Sequence, residues 1–217
     1  MIDSYRHKGL RRNLVKMLER KGITDDSILS AIGKIPRHFF LDKAFEEWAY
    51  EDTAFPIGCQ QTISQPFTVA YQTQLLNVKP KQKILEIGTG SGYQAAILSD
   101  LGAKVYTIER QETLFERTKS LLKNMGYQQI RLFLQDGTKG LPQFAPFDRI
   151  IVTAAAKTIP EALKEQLAIQ GKMVIPVGGE NTQVMYCISR ITQTEYKVEK
   201  FDHFRFVPLL RGIHHKN

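Results

Sequence analysis

Lys83-Ile84-Leu85-Glu86-Ile87-Gly88-Thr89-Gly90-Ser91-Gly92-Tyr93 joins an apolar run to three alternate glycines, and the helix-forming Gln94-Ala95-Ala96-Ile97-Leu98 follows at once. Ile84, Leu85 and Ile87 suit a strand buried in a parallel sheet, where apolar runs are nearly continuous. Gly88, Gly90 and Gly92 permit a tight turn and bring backbone against a ligand. Strand, glycine turn and helix in that order place a nucleotide-type cofactor at the carboxyl edge of a doubly wound sheet.

The spacing of the glycines selects among cofactors. A dinucleotide fingerprint runs G-x-G-x-x-G/A, its third small residue allowing close helix packing; Tyr93 holds that position here. The G-x-G-x-G of Gly88, Gly90 and Gly92 is more open and offers no phosphate cradle. Glu109 closes the next apolar run, Val105-Tyr106-Thr107-Ile108, at the distance where such folds hold a ribose diol. Its carboxylate accepts a neutral ribose and repels a 2′-phosphate. Glu86-Ile87-Gly88-Thr89-Gly90-Ser91-Gly92 is similar to the first motif of the class I S-adenosylmethionine-dependent methyltransferases. A Rossmann-like turn for another nucleotide and a purely structural turn are the alternatives at this point.

The pattern outward from this motif is α/β. Strands are expected at 83–88, 104–109, 130–134, 148–153 and 172–177 with helices between them, a doubly wound, mostly parallel sheet of the Rossmann-like class. Gln183 to Arg190 and Tyr196 to Leu210 read as two further strands too close for a helical crossover, hence an antiparallel pair. Residues up to about Asp52 read as helices, the second capped near Thr24-Asp25-Asp26 and stopped by Ile35-Pro36-Arg37. This divides the chain into an N-terminal helical segment with an active-site loop, 1–68, and a cofactor-binding domain, 69–217, in one compact unit.

At 217 residues the chain is long enough for one domain and an extension. No apolar run reaches the roughly 18 residues needed to span a bilayer, and a soluble, cytoplasmic protein with no membrane partner is expected. Cys59 and Cys187 stand alone, and the five histidines show no ligand spacing, so no metal is expected. His214-His215 reads as a disordered tail. The net charge is +8, of which residues 1–21 carry +5, seven basic against two acidic. Leu10, Leu14, Met17 and Leu18 at helical spacing make that segment an amphipathic helix with a solvated basic face, and no nucleic-acid partner is expected.

Ligands of such sheets bind outside the carboxyl ends of the strands. Asp136-Gly137, directly after the third strand, brings a carboxylate and a close backbone to an adenine ring, or is a plain Asp-Gly turn. Thr153-Ala154-Ala155-Ala156, after the fourth, lacks the Asn/Asp, prolines and aromatic that engage a base amine, and neither cysteine sits in a Pro-Cys pair. Base methylation thereby loses its two common chemistries. Gln61-Thr62-Ile63-Ser64-Gln65-Pro66-Phe67 is a polar turn in which Ser64 serves either as a helix cap or as a hydroxyl for chemistry.

Together with Phe147 to Ala156, Lys172 to Gly178 and Phe206-Val207-Pro208-Leu209, that turn resembles the protein-L-isoaspartate O-methyltransferases over nearly the whole chain. The resemblance implies methyl transfer from S-adenosylmethionine, leaving S-adenosylhomocysteine, to the free carboxyl of isoaspartyl residues in damaged proteins and peptides; the ester re-closes to a succinimide. It implies Ser64 as the active-site residue. It assigns Gln65, Pro66, Phe67, Glu86, Gly88, Gly90, Gly92, Glu109, Asp136 and Gly137 to the cofactor, and Thr62, Ile63 and Val207 to the substrate. Arg205 or Arg211 is available to a substrate carboxylate, and a monomer is expected. Gln60 and Gln135 stand where the family often has glycine. A carboxyl acceptor with a pKa near ~4 is already ionised at neutral pH, so a loop without His, Lys or Cys suffices.

Overall fold

The computed structural model describes residues 2–216. Its elements in chain order are α1 (Tyr5–Arg20), α2 (Asp26–Lys34), β1 (Phe55–Gly58), β2 (Gln61–Ile63), α3 (Pro66–Leu76), β3 (Lys83–Ile87), α4 (Tyr93–Asp100), β4 (Lys104–Glu109) and α5 (Glu112–Asn124). β5 (Arg131–Leu134), β6 (Phe147–Val152), α6 (Glu161–Glu165), β7 (Leu167–Gly178), β8 (Gln183–Arg190) and β9 (Tyr196–Phe204) follow. The central sheet runs β5-β4-β3-β6-β7-β8-β9, parallel from β5 to β7 and antiparallel for β8 and β9. The strand order reverses between β3 and β6, which opens a crevice above their carboxyl ends.

Residue alternation along the strands separates two cores. Ile84, Val105, Ile151 and Val174 face a cluster that includes Leu14, Leu18, Ile28 and Ile32 of the N-terminal helices. Leu85, Ile87, Ile108, Ile150 and Val152 face the other side, closed by Leu141, Leu163 and Leu167. The first two helices therefore share a core with the sheet. Ser4 caps α1, its hydroxyl accepting from the His7 amide while His7 Nδ1 accepts from the Ser4 amide. Asp25 caps α2, whose end at Ile35 precedes Pro36.

Several expectations are corrected. The region before Asp52 is not helical throughout: 3₁₀ turns occupy Arg37–Phe40 and Lys43–Trp48. The basic side of α1 is not wholly solvated, because Arg11 is buried on Asp3, Tyr50 and the Gly33 carbonyl. The fifth strand begins at Leu167 and kinks at Gln170, whose φ is 65°. The last strand ends at Phe204; beyond it the chain crosses the sheet edge as a strap, bridging Ala155 to Pro208 and Gln111 to His214. The His214 amide donates to the Arg110 carbonyl at 2.8 Å, so that residue is anchored.

Candidate active site at the carboxyl edge of the sheet

Gly88 has a φ of 95°, and its amide and that of Thr89 both donate to the Ile108 carbonyl. A Cβ at Gly88 would lie 2.6 Å from Thr153 Oγ1, a hydroxyl that itself donates to the Gly88 carbonyl at 2.7 Å. The loop after β6, unremarkable in sequence, thus locks the loop after β3. Gly92 has the positive φ of a tight turn, 87°, and meets a second need as well. Its Cβ would meet Thr118 and Leu122 of α5 at 2.8 and 3.3 Å, so this glycine admits a neighbouring helix, while Gly88, Thr89, Gly90 and Ser91 line the cleft.

Glu109 lines the same cleft and is 4% exposed. Its Oε2 accepts from the Gly90 amide at 2.8 Å, and Oε1 from the amides of Arg110 and Gln111 at 2.8 and 2.9 Å. Burial raises its pKa against the opposing pull of those three amides. A carboxylate offers about four acceptor positions, so one remains for a ribose hydroxyl. Gly137 also lines the cleft, and a Cβ there would strike Ile87 Cγ2 at 2.6 Å.

Two of the acidic residues assigned to the cofactor, Glu86 and Asp136, make their bonds within the protein and are not among the residues lining this cleft. The Asp136 carboxylate turns from the cleft to bond Thr138 through Oδ1 and the Gly212 amide, 2.9 Å away, through Oδ2. Burial would raise its pKa, but these bonds hold it below the ordinary value. Asp136 therefore anchors the C-terminal strap.

Glu86 lies wholly inside the fold, because its register opposite Thr107 in the parallel β3–β4 pair points it into the helix-covered face. Thr107 donates to Glu86 Oε2 at 2.5 Å and sits 2.7 Å from the Thr89 hydroxyl, which links the carboxyl to the glycine loop. Oε1 has no partner. Burial, with the Glu109 charge added and the Thr107 bond opposing, pushes the Glu86 carboxyl up to about 8. Between its ordinary value of 4.5 and about 8 the unfolded state binds fewer protons than the folded one, so stability falls as pH rises through that interval. Glu86→Gln, neutral in both states, is expected to flatten this slope and to stabilise the fold at pH 7 by up to about 3 kcal/mol. Denaturant midpoints at pH 5 and pH 8 check it; identical slopes in both proteins would contradict the assignment.

On the acceptor side, Gln61-Thr62-Ile63 is a strand rather than a loop, paired with β1 across a two-residue turn at Cys59-Gln60. Both turn residues are left-handed, with φ of 51° and 58°, the geometry of a type I′ hairpin. Glycine would adopt the conformation of position 60 without strain. Gln60→Gly is expected to stabilise the protein by about 0.5–1 kcal/mol, read as a higher thermal midpoint. Gln135 keeps a negative φ, and its amide donates to the Glu109 carbonyl, so a side chain is tolerated there.

Ser64 follows β2 and does not cap α3: the cap residue is Gln65, and Asp52 supplies the bonds, its Oδ1 accepting from the Phe67 amide and Oδ2 from the Gln65 side chain and Lys21. Ser64 and Thr62 line both the cofactor cleft and a second cleft beside it, as do Thr153 and Val207; Ile63 lines the first alone. Gln65 and Phe67 line only the second cleft, and Pro66 is buried at the first turn of α3. These three are not brought to the cofactor pocket, because the helix starts there and turns them away. Arg205 lines the second cleft, whereas Arg211 lies on the strap with its carbonyl on Arg110.

Residues not assigned to the site from the sequence also line the pocket, among them Gln61, Tyr93, Gln94, Arg110, Leu209 and Leu210. Gln94, two residues past Gly92, carried a usable positional signal; Leu209 and Leu210 arrive only through the strap. Arg110 is the one cation lining this pocket among the described residues, and its guanidinium donates from Nε to the Gly212 carbonyl and from a terminal nitrogen to that of Arg211. A carboxylate acceptor and apolar walls at Ile87, Ile108 and Leu209 suit the uncharged sugar and ring of a nucleoside.

The fold also assembles Asp3, His7 and His38, ligand atoms all within 4.8 Å of one another. Arg11 occupies both Asp3 oxygens, Tyr50 and the Ile2 carbonyl occupy the His38 nitrogens, and Ser4 and Glu46 those of His7. The two imidazole rings lie 3.8 Å apart and tilted by 32°. The cluster ties α1 to the 3₁₀ turn after α2.

Residues 9–214 match the family model described as protein-L-isoaspartate(D-aspartate) O-methyltransferase. A protein-L-isoaspartate O-methyltransferase of Flavobacterium psychrophilum is 57% identical over 210 residues, 97% of this chain and 98% of the relative, and that of Cytophaga hutchinsonii is 53% identical over 97% and 95%. A solved protein-L-isoaspartate O-methyltransferase superimposes with a TM-score of 0.83 at 27% identity, over 91% of this chain and 65% of that one. A Plasmodium falciparum β-aspartate methyltransferase in complex with S-adenosyl-L-homocysteine gives a TM-score of 0.81 at 26% identity, over 94% and 98%. Agreement over nearly the full length, in sequence and in fold, makes this chain a member of the protein-L-isoaspartate(D-aspartate) O-methyltransferase family.

Proposed function

We infer that this chain methylates the free carboxyl of L-isoaspartyl residues in damaged proteins and peptides, using S-adenosylmethionine, and that the two adjoining clefts divide the work. The observation that carries the reading is Ser64, which lies where the glycine-loop cleft meets a second, open cleft. Glu109, through its remaining lone pair, holds the ribose, while Gly88, Gly90 and Gly137 let backbone approach the nucleoside. The cofactor supplies a methyl on a positively charged sulfur. Ser64 donates to one oxygen of the acceptor carboxylate and leaves the other in line for attack, so that a C–O bond forms as the sulfur retains the electron pair of the broken S–C bond. No proton moves, and the two opposite charges cancel in the products. Thr62 and Val207 close the junction against water while Ile63 walls the first cleft, and orientation alone is worth about 7–11 kcal/mol.

The same reading makes the protein a soluble, cytoplasmic monomer in which 1–68 and 69–217 act as one unit, without a nucleic-acid partner. No helix among the described residues is long and apolar enough to cross a membrane. Labelled S-adenosylmethionine offered with matched L-isoaspartyl and L-aspartyl peptides tests the substrate. Base-labile label released as volatile methanol is expected with the isoaspartyl peptide alone. Equal labelling of both, or label stable to mild base, would refute a carboxyl-specific repair reaction.

A further inference from the structure

Arg37 follows Ile35-Pro36 and is wholly buried in the protein. Among the described residues its guanidinium makes no hydrogen bond to a carboxylate. It donates instead to three backbone carbonyls, those of Ala49, Thr53 and Ser64, the last two at 3.1 Å. The rings of Phe55 and Tyr93 lie 5.7 and 5.9 Å from it, and Nε has no partner among the described residues. Burial, opposed by the charges of Tyr93, Asp52 and Tyr50, draws its pKa down to about 10, which leaves it protonated at neutral pH. A buried cation hydrogen-bonded to carbonyls alone is costly to a fold, and a neutral side chain would fill the same space without that cost.

What the charge gains is a fixed geometry. The planar fork joins residues 49–53, which lead into the β1–β2 hairpin, to Ser64 at its exit. Only Ser64 and Gln65 lie between β2 and α3, and Asp52 holds Gln65 and Phe67 from the far side. Of Arg37's three acceptors, Ser64 alone lines the cofactor pocket. We propose that Arg37 is a positioning residue for methyl transfer, holding the Ser64 backbone so that its hydroxyl meets the acceptor carboxylate. This rests on the role of Ser64 given above. An ammonium, lacking the fork, cannot span the three carbonyls, so lysine is not a conservative replacement.

The test is a cycle of Arg37→Lys, Ser64→Ala and the double variant, with kcat on an isoaspartyl peptide and cofactor affinity by calorimetry. Arg37→Lys is expected to lower kcat by about 30-fold or more, the scale of a misplacement of under 1 Å, with cofactor affinity held within about 3-fold. In the Ser64→Ala background the same change is expected to cost less than about 3-fold, since residues acting through one group are not additive. Equal losses in both backgrounds, an unchanged kcat in Arg37→Lys, or a loss that follows cofactor affinity overturns the proposal. An unaltered kcat in Ser64→Ala removes Ser64 from the mechanism and the proposal with it. Should Arg37→Lys not fold, Phe55→Leu loosens the same guanidinium, and the same cycle with Ser64→Ala decides.

Discussion

Glu109→Ala is expected to weaken S-adenosylmethionine binding by about 100-fold and to lower stability by about 2–4 kcal/mol, the largest combined effect of any single substitution in the site. The carboxylate accepts from three backbone amides, those of Gly90, Arg110 and Gln111, and it is almost completely buried. Alanine leaves those donors without a partner, and an orphaned buried donor costs more than an average hydrogen bond is worth. The loss falls on the cofactor twice. The ribose acceptor disappears, and Gly90, no longer tied to the end of β4, is free to leave the conformation that presents the loop. Glu109→Gln keeps an oxygen but turns an amide donor toward backbone N–H groups, so its loss of affinity is intermediate. Calorimetric titration and a denaturant midpoint measure the two parts; unchanged affinity in Glu109→Ala would exclude the ribose contact.

Ser64→Ala is expected to reduce kcat with an isoaspartyl peptide by about 100-fold while leaving cofactor affinity within about 3-fold, because it deletes one donor aimed at the reacting carboxylate. The substitution leaves the backbone device intact. The Ser64 carbonyl still accepts from Arg37, and Asp52 still caps α3. A fall in affinity as large as that in kcat would mean that the hydroxyl serves the cofactor instead. The contrast with Glu109→Ala separates the two clefts: one variant acts on cofactor binding and stability, the other on turnover.

The fold was largely legible because burial imposes periodicity. Apolar runs such as Ile84 to Ile87 and Val105 to Ile108 are long enough to be read, and Gly88 and Gly90 mark the turn between sheet and helix. The hairpin at 55–63 escaped notice because its turn residues, Cys59 and Gln60, are not those that usually adopt positive φ. In the site, Ser64, Gly88, Gly90, Glu109 and Gly137 fall on the pocket. Glu86, Gly92 and Asp136 carry contacts that their residue types did not announce: a buried link to Thr107, room for α5, and an anchor for Gly212. Such differences depend on what lies opposite a residue in space, which no local pattern records.

By itself, then, the amino-acid sequence determined the order of strands and helices, the glycine turn, the acidic end of β4 and, through resemblance, the family, since each is written in contiguous residues or in motifs at fixed spacing. Only the tertiary structure decided that Thr153 locks the glycine loop, that the strap carrying Leu209 walls the pocket, and that Arg37 reaches the Ser64 carbonyl. These contacts join segments 27 to 65 residues apart or more, and they exist only once hydrophobic burial has brought those segments together.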